Sequence, residues 1–274
     1  GIASRFHGNY LQLDQIGLVG VVGQDFKQSD IEMLESLGLE LDGLEIADGK
    51  TFRWEGSYEG DMGIAQTHDT QLNVFADFDP KVPTHSNEPK ILFCANMIPT
   101  LQMKVIEQAK STRLSMLDSM NLWIEIARDD LLSVMKRVDL IIINDGEVRM
   151  LADDDNLIRA SKSLIKMVGC ETLVIKKGEN GVLAFHKEDI IALPAYPTQN
   201  VADPTGCGDS FAGTIAAYLA SGDGQLSKNE LREALIRATV TASFTLESFG
   251  TSGLLSLTQE KFETRLNLFR KILS

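Results

Sequence analysis

The stretch VADPTGCGDSFAGTIAAYLA, residues 201–220, decides how the rest of the chain is read. Pro204 stiffens the approach, and Thr205, Gly206, Cys207 and Gly208 then form a turn that leads straight into a helix. Glycines at 206 and 208 let the backbone come close to a ligand with its N–H groups pointing outward. A helix N-terminus offers unpaired N–H groups and roughly half a positive charge, so turn and helix together make an anion site. Asp209 falls in the first helical turn, facing whatever that site holds. Amides that neutralise a migrating phosphate, beside a carboxylate that takes an alcohol's proton, are what phosphate transfer to an alcohol requires. The alternative is an ordinary glycine-rich turn with Asp209 as a capping residue. Phe211, Ile215 and Leu219 form one apolar line on the helix, and Ala212, Gly213, Ala216 and Ala217 admit close neighbours. Other glycine motifs are excluded by spacing. There is no GxxxxGK[ST], Phe211 stands where a dinucleotide fingerprint needs its third glycine, and no GxSxG surrounds Ser210.

Outward from this segment, apolar strands and amphipathic helices alternate. Strands are expected at 18–23, 91–94, 114–118, 140–143, 172–176, 182–186 and 190–193. Helices are expected at 29–37, 100–110, 121–135, 156–168, 209–220, 228–246 and 258–273. Strands separated by helices imply right-handed crossovers and a mostly parallel sheet covered on both faces. Residues 44–78 break the rhythm. They carry β-favouring pieces at 50–58 and 71–78, with turn formers Gly56, Gly60, Asp61 and Gly63 between them. The reading is a main α/β domain of residues 1–43 and 79–274 and a small antiparallel β lid of residues 44–78. Two edge strands of the main sheet are the alternative.

The 274 residues include 26 basic and 39 acidic side chains, a net charge of −13. Such a surface repels phosphate backbones and argues against nucleic-acid and anionic-membrane partners. Apolar runs are too short to span a bilayer. The three cysteines, Cys94, Cys170 and Cys207, lack CxxC spacing, so no disulfide framework or zinc site follows and a reducing cytoplasm is expected. The four histidines share no ligand spacing. Arg53, in the lid region, is a candidate to reach substrate, against a plain solvated arginine. Asn96 and Asp118 lie at carboxyl ends of strands, where open α/β sheets bind ligands; each competes with simple loop capping. Trp54 and Trp123 read as packing residues. Lys176 is expected to point into the flank of the sheet, because adjacent strand residues face opposite ways.

DPTGCGDSFAG at 203–213 resembles the C-terminal signature, usually written DTxGAGD, of the ribokinase (PfkB) carbohydrate kinase family. Asn144-Asp145-Gly146-Glu147 resembles that family's NxxE motif, and IKKGENG at 175–181 resembles the strand-turn element beside the nucleotide phosphates. LVGVVGQDF at 18–26 and TFRW at 51–54 are similar to its N-terminal half. The resemblance implies a three-layer α/β/α ribokinase-like fold with a small antiparallel β lid. It also implies ATP-dependent transfer of the γ-phosphate to a hydroxyl of a sugar or nucleoside. Asp209 would be the base, and Gly206, Cys207 and Gly208 the anion hole. Asn144 and Glu147 would organise Mg2+, and Thr205, Lys177, Gly178 and Gly181 would border the nucleotide phosphates. Thr239 and Ser243 match the border of the adenine, and some members use a monovalent cation as well.

Cys207 replaces the common alanine, and at a helix N-terminus its thiol is expected to have a lowered pKa and be open to oxidation. Family members begin with a strand carrying a sugar-binding aspartate and a GG…N segment; Gly1 matches the last of that glycine pair, so a segment is expected upstream. A homodimer through the lid follows from its open sheet edge. Ribose-, fructose-, ketogluconate- and adenosine-type acceptors are all compatible with the motifs. The rivals are a non-catalytic nucleotide or sugar sensor on the same fold and a nucleotide-dependent oxidoreductase, the latter disfavoured by the missing third glycine.

Overall fold

The computed structural model describes residues 1–58 and 65–274. An opening helix, α1 (Ile2–Leu11), leads to β1 (Gly17–Gly23), α2 (Gln28–Ser36), β2 (Glu40–Ala47), β3 (Arg53–Tyr58) and β4 (Ala65–Gln71). Alternation then sets in with β5 (Ile91–Cys94), α3 (Pro99–Gln108), β6 (Leu114–Asp118), α4 (Asn121–Ile126), α5 (Arg128–Met135) and β7 (Leu140–Asn144). It continues through α6 (Asp145–Ala152), α7 (Leu157–Val168), β8 (Thr172–Lys176), β9 (Val182–His186) and β10 (Asp189–Leu193). The chain closes with α8 (Cys207–Ser221), α9 (Lys228–Leu246), α10 (Ser252–Leu255) and α11 (Gln259–Leu273).

Six strands form the central sheet in the order β10-β9-β8-β7-β6-β5, parallel from β5 to β8 and antiparallel at β9 and β10. Its strands are unbroken aliphatic runs because both faces are covered; Leu140, Ile141, Ile142 and Ile143 are all fully buried. Alternate residues feed two separate cores. Met116, Leu140, Ile142 and Val174 pack with Ala212 and Ile215 of α8, Leu235 of α9 and Phe262 of α11. Leu117, Ile141, Ile143, Leu173 and Ile175 pack with Leu131 and Met135 of α5, Val148 of α6 and Leu164 of α7. The result is the expected three-layer α/β/α architecture with a small antiparallel sheet.

Four elements depart from the sequence expectation. Helix α1 was not anticipated: it has no side-chain cap and is held by packing instead, with Ser4 Oγ donating to Gly213 O of α8 at 2.9 Å. β2 pairs in parallel with β1, which takes residues 44–47 out of the small sheet. The second strand of the small sheet is β4, not 71–78; past Gln71 the chain turns through Asn73 at φ 49° into a single 3-10 stretch, Asn73–Asp77. Residues 145–152 form α6 directly after β7. The turn expected at Gly60, Asp61 and Gly63 lies outside the described residues.

Candidate active site

The site grows from the carboxyl ends of β6, β7 and β8, where one parity of side chain faces α8. Met116, Ile142 and Val174 lie in the core beneath that helix. Two residues further along each strand, the same alternation brings Asp118, Asn144 and Lys176 to the same face, and Asn144 and Lys176 are direct partners in the ladder. Strand parity thus delivers an acid, an amide and an amine to the helix's N-terminal end.

Gly206, at φ 81°, caps α8 in a conformation that favours glycine. Cys207 N donates to Pro204 O at 3.1 Å and Thr205 N to Asp203 Oδ1 at 2.9 Å, which closes the turn. The N–H groups of Gly206, Gly208 and Asp209 find no acceptor among the described residues. The open amides are therefore those three, and Cys207, expected among them, instead holds the turn shut. The carboxylate of Asp209 is exposed on the first turn of α8. Thr205 Oγ1 donates to Tyr58 Oη at 3.3 Å, so the small sheet touches the turn at the end of β3.

The expectation of a reactive Cys207 is corrected. Burial, joined by the charges of Asp203 and Asp209, pushes its thiol up to about 12. These outweigh the helix N-terminus because a thiolate here would be both desolvated and beside two acids.

Asn144 and Glu147 form a reciprocal capping box on α6. Asn144 Oδ1 accepts from Glu147 N at 2.8 Å, while Glu147 Oε2 and Oε1 accept from Asn144 N at 2.8 Å and from its Nδ2 at 2.7 Å. Glu147 is buried, and burial raises its carboxyl to about 7 although Lys176 pulls the other way. Lys176 corrects a second expectation. Its Nζ donates to Asp118 Oδ1 at 2.9 Å and lies 3.2 Å from the point where a Cβ on Gly208 would stand. It faces the site, not the flank. Asp118 is buried, which raises its carboxyl, and Lys176 opposes that rise. Burial would lower Lys176 too, but Asp118, Glu147 and Asp209 outweigh it and keep the ammonium charged. The sequence signal for Lys176 was the parity it shares with Val174, whose face α8 covers.

The other candidates are spread wider. The backbone of Lys177 donates to Gly181 O at 2.8 Å, so Lys177, Gly178 and Gly181 form the β8–β9 turn next to Lys176. Thr239 and Ser243 are buried, their hydroxyls on Leu235 O and Val240 O, and Arg265 donates to Ser243 Oγ at 2.9 Å. Both are engaged within the helical layer. Asn96 Oδ1 accepts from Trp123 Nε1 at 2.9 Å, which makes Trp123 the packing residue expected. Arg53 is exposed in a cleft of about 230 Å³ at the foot of the small sheet, with Asp25, Lys50 and Gln71. Sequence reading missed Gln102, whose buried Nε2 donates to Ala95 O at 2.8 Å and Asp118 O at 3.0 Å and so fixes the ends of β5 and β6.

No group of three or more metal-ligating side chains occurs among the described residues. Mg2+ that arrives with a nucleotide takes one or two carboxylates and fills its shell with phosphate oxygens and water. Both Glu147 oxygens are engaged by Asn144, so this pair fits such an ion through water. No helix among the described residues is long and apolar enough to cross a membrane.

A family model described as pfkB family carbohydrate kinase matches residues 7–257. The chain is 28% identical over 221 residues to the cytidine kinase of Thermococcus kodakarensis, covering 76% of this chain and 75% of that protein. The crystal structure of the Methanocaldococcus jannaschii nucleoside kinase matches the fold with a TM-score of 0.76 at 20% identity, over 97% of this chain and 85% of the other. A putative ribokinase II from E. coli, solved in complex with ATP and Mg2+, matches with a TM-score of 0.77 at 17% identity, over 98% and 88%.

Proposed function

The chain belongs to the pfkB family of carbohydrate kinases, and from that premise we propose how its own residues move the γ-phosphoryl group of ATP to a hydroxyl of a sugar or nucleoside. The observation that carries the reading is the exposed Asp209 carboxylate beside three backbone N–H groups, of Gly206, Gly208 and Asp209, that have no acceptor among the described residues. Asp209 accepts the proton of the acceptor hydroxyl as its oxygen attacks phosphorus. The free amides take the charge on the equatorial oxygens, helped by the positive end of α8. Glu147 and Asn144 would hold Mg2+ through water, and the ion would supply charge neutralisation between the nucleotide phosphates. The Thr205–Tyr58 contact supports a β3–β4 lid that covers the acceptor and excludes water.

Nucleosides head the acceptor panel, because the likeness to a cytidine kinase runs through three quarters of both chains. Asp209→Asn should lower kcat about 10²–10⁴-fold while ATP affinity measured by calorimetry changes little. Turnover near that of the unaltered protein would remove Asp209 from the base's role. ATP binding without turnover on any sugar or nucleoside would favour a sensor.

A further inference from the structure

The cleft at the foot of the small sheet takes no part in the chemistry described so far. We propose that it is a second ligand site, which takes the phosphate monoester of a small polyol or sugar. Lys27, Lys50 and Arg53 hold the phosphate, and the side-chain oxygens of Gln71 and Asn73 accept from the hydroxyls. The proposal goes beyond the phosphotransfer reading and uses none of the residues that carry that reaction.

Place, charge and hydrogen-bonding capacity each support it. Arg53 opens β3 and pairs with Gln71, the last residue of β4, so the two side chains share one face of the ladder at its open end. Tyr58, which meets Thr205, stands at the other end of β3, five residues and about 16 Å further along the strand. The cleft is therefore remote from the turn at Gly206. In a chain of net charge −13, three exposed cations line this one cleft, and Lys27, Lys50 and Arg53 enter no ion pair among the described residues. Two acids share the lining. Asp25 is committed to the wall, its Oδ1 accepting from Thr51 N and Thr51 Oγ1 at 2.7 Å each. Asp30 lies in the first turn of α2, where the positive helix end offsets its charge. A dianion thus finds ammonium and guanidinium donors that no protein acid has claimed. Hydrogen bonding sets the rest of the ligand. Gln71 Nε2 donates to Asp69 Oδ2 at 2.7 Å and Asn73 Nδ2 to Thr51 O at 2.9 Å, which leaves both amide oxygens as acceptors without a donor among the described residues. Such acceptors beside cations match a molecule that carries hydroxyls as well as an anion. A volume of about 230 Å³ lies below the range of drug-sized sites and keeps the occupant small. Its phosphate would tie Lys27, at the start of α2, to Arg53 and so brace the small sheet at its foot.

The probes are glycerol 3-phosphate, inorganic phosphate and glycerol, followed by calorimetry at low ionic strength with saturating β,γ-methylene-ATP present to fill the nucleotide site. Glycerol 3-phosphate should bind, inorganic phosphate about threefold or more weakly, and glycerol not measurably. The double variant Lys27→Gln/Arg53→Gln, at two exposed and unpaired positions, should melt like the wild type and bind glycerol 3-phosphate at least about tenfold more weakly. Gln71→Leu should bring its affinity down toward that of inorganic phosphate, and Asp209→Asn should leave it unchanged. No binding by the wild type, or equal affinity in the wild type and the double variant, would overturn the proposal and leave the phosphotransfer reading standing. Binding lost in Asp209→Asn and kept in the double variant would put the phosphate in the transfer site and overturn it as well. Equal affinities for glycerol 3-phosphate and inorganic phosphate would overturn the monoester assignment. Failure of the ATP analogue to bind would sink the phosphotransfer reading, and the same variants would still decide the cleft.

Discussion

His7 gives the sharpest link between a buried atom and a bulk measurement. It lies fully buried in α1, its ring edge-on to Phe6 and Phe262, with Nε2 2.8 Å from Thr241 Oγ1 on α9. Thr241 gives its own proton to Arg237 O at 3.0 Å, so Nε2 must carry the hydrogen and donate. Nδ1 is then a lone pair without a partner among the described residues. Protonating it would bury an unpaired charge near Arg237, and burial first, then that guanidinium, lower its pKa from 6.5 to about 3. The unfolded chain therefore binds the extra proton and the folded one does not. The contribution is fully present above pH 6.5 and is lost as pH falls toward 3. Between pH 8 and pH 5 the linkage relation gives a loss of about 2 kcal/mol from this one group. His7→Gln keeps an N–H for Thr241 and removes the titration. Urea unfolding of both proteins at pH 8 and pH 5 should show the wild type losing about 2 kcal/mol more than the variant. Parallel losses would mean that the ring is reached by water or by an acceptor, and the reasoning would fail.

Three further outcomes follow from other parts of the molecule. Arg113 donates to both Glu230 oxygens at 2.8 Å and to the carbonyls of Leu219 and Gly224, and its side chain is 5% exposed. Arg113→Ala should cost about 3–5 kcal/mol of stability, read as a lower urea midpoint, because it leaves Glu230 unpaired. Tyr58→Phe removes the acceptor for Thr205 Oγ1 and should raise KM for the acceptor with the melting temperature nearly unchanged; an unaltered KM would deny the lid contact a role. Cys207 in the native protein should resist iodoacetamide at pH 8 and react in urea, followed by mass spectrometry, since its thiol is pushed up to about 12; rapid native alkylation would contradict that.

The central sheet was legible because its strands are buried on both faces, which forces a sequence such as Leu140–Asn144 to be almost purely aliphatic. The edges were not. β2 reads ELDGLEIA, with three acids and a glycine, and is a strand only because β1 lies alongside to share its hydrogen bonds. α1 contains Gly8 and lacks a side-chain cap, so its helicity comes from α8 and α9, which no local pattern reveals. In the site, Asp209 and its turn were readable because glycine spacing constrains the backbone itself. Lys176 was misplaced although the alternation rule was right. What the rule could not say is which face lies under the N-terminus of α8, and that depends on where the last crossover puts the helix. Cys207 failed for a different reason: burial and two acids outweigh the dipole, and burial is a tertiary quantity.

A net charge of −13 repels a polyanionic substrate at long range. The geometry resolves this by making the favourable potential local. The carboxyl edge of the sheet brings Asp118 and Lys176 together as a pair that carries no net charge, and Glu147, with its carboxyl raised to about 7, carries less than a full charge at neutral pH. Asp209, exposed, is the acid left fully facing the anion, at the position where a base is wanted. Against it stand the open amides and the positive end of α8, whose fields act at hydrogen-bond range, whereas those of the distant surface acids are screened over about 8–10 Å at physiological salt. Raising ionic strength should therefore weaken the repulsion of nucleotide by the surface more than its attraction to the site. This acidic chain should bind nucleotide as well or better at higher salt, the reverse of a protein that relies on a basic surface.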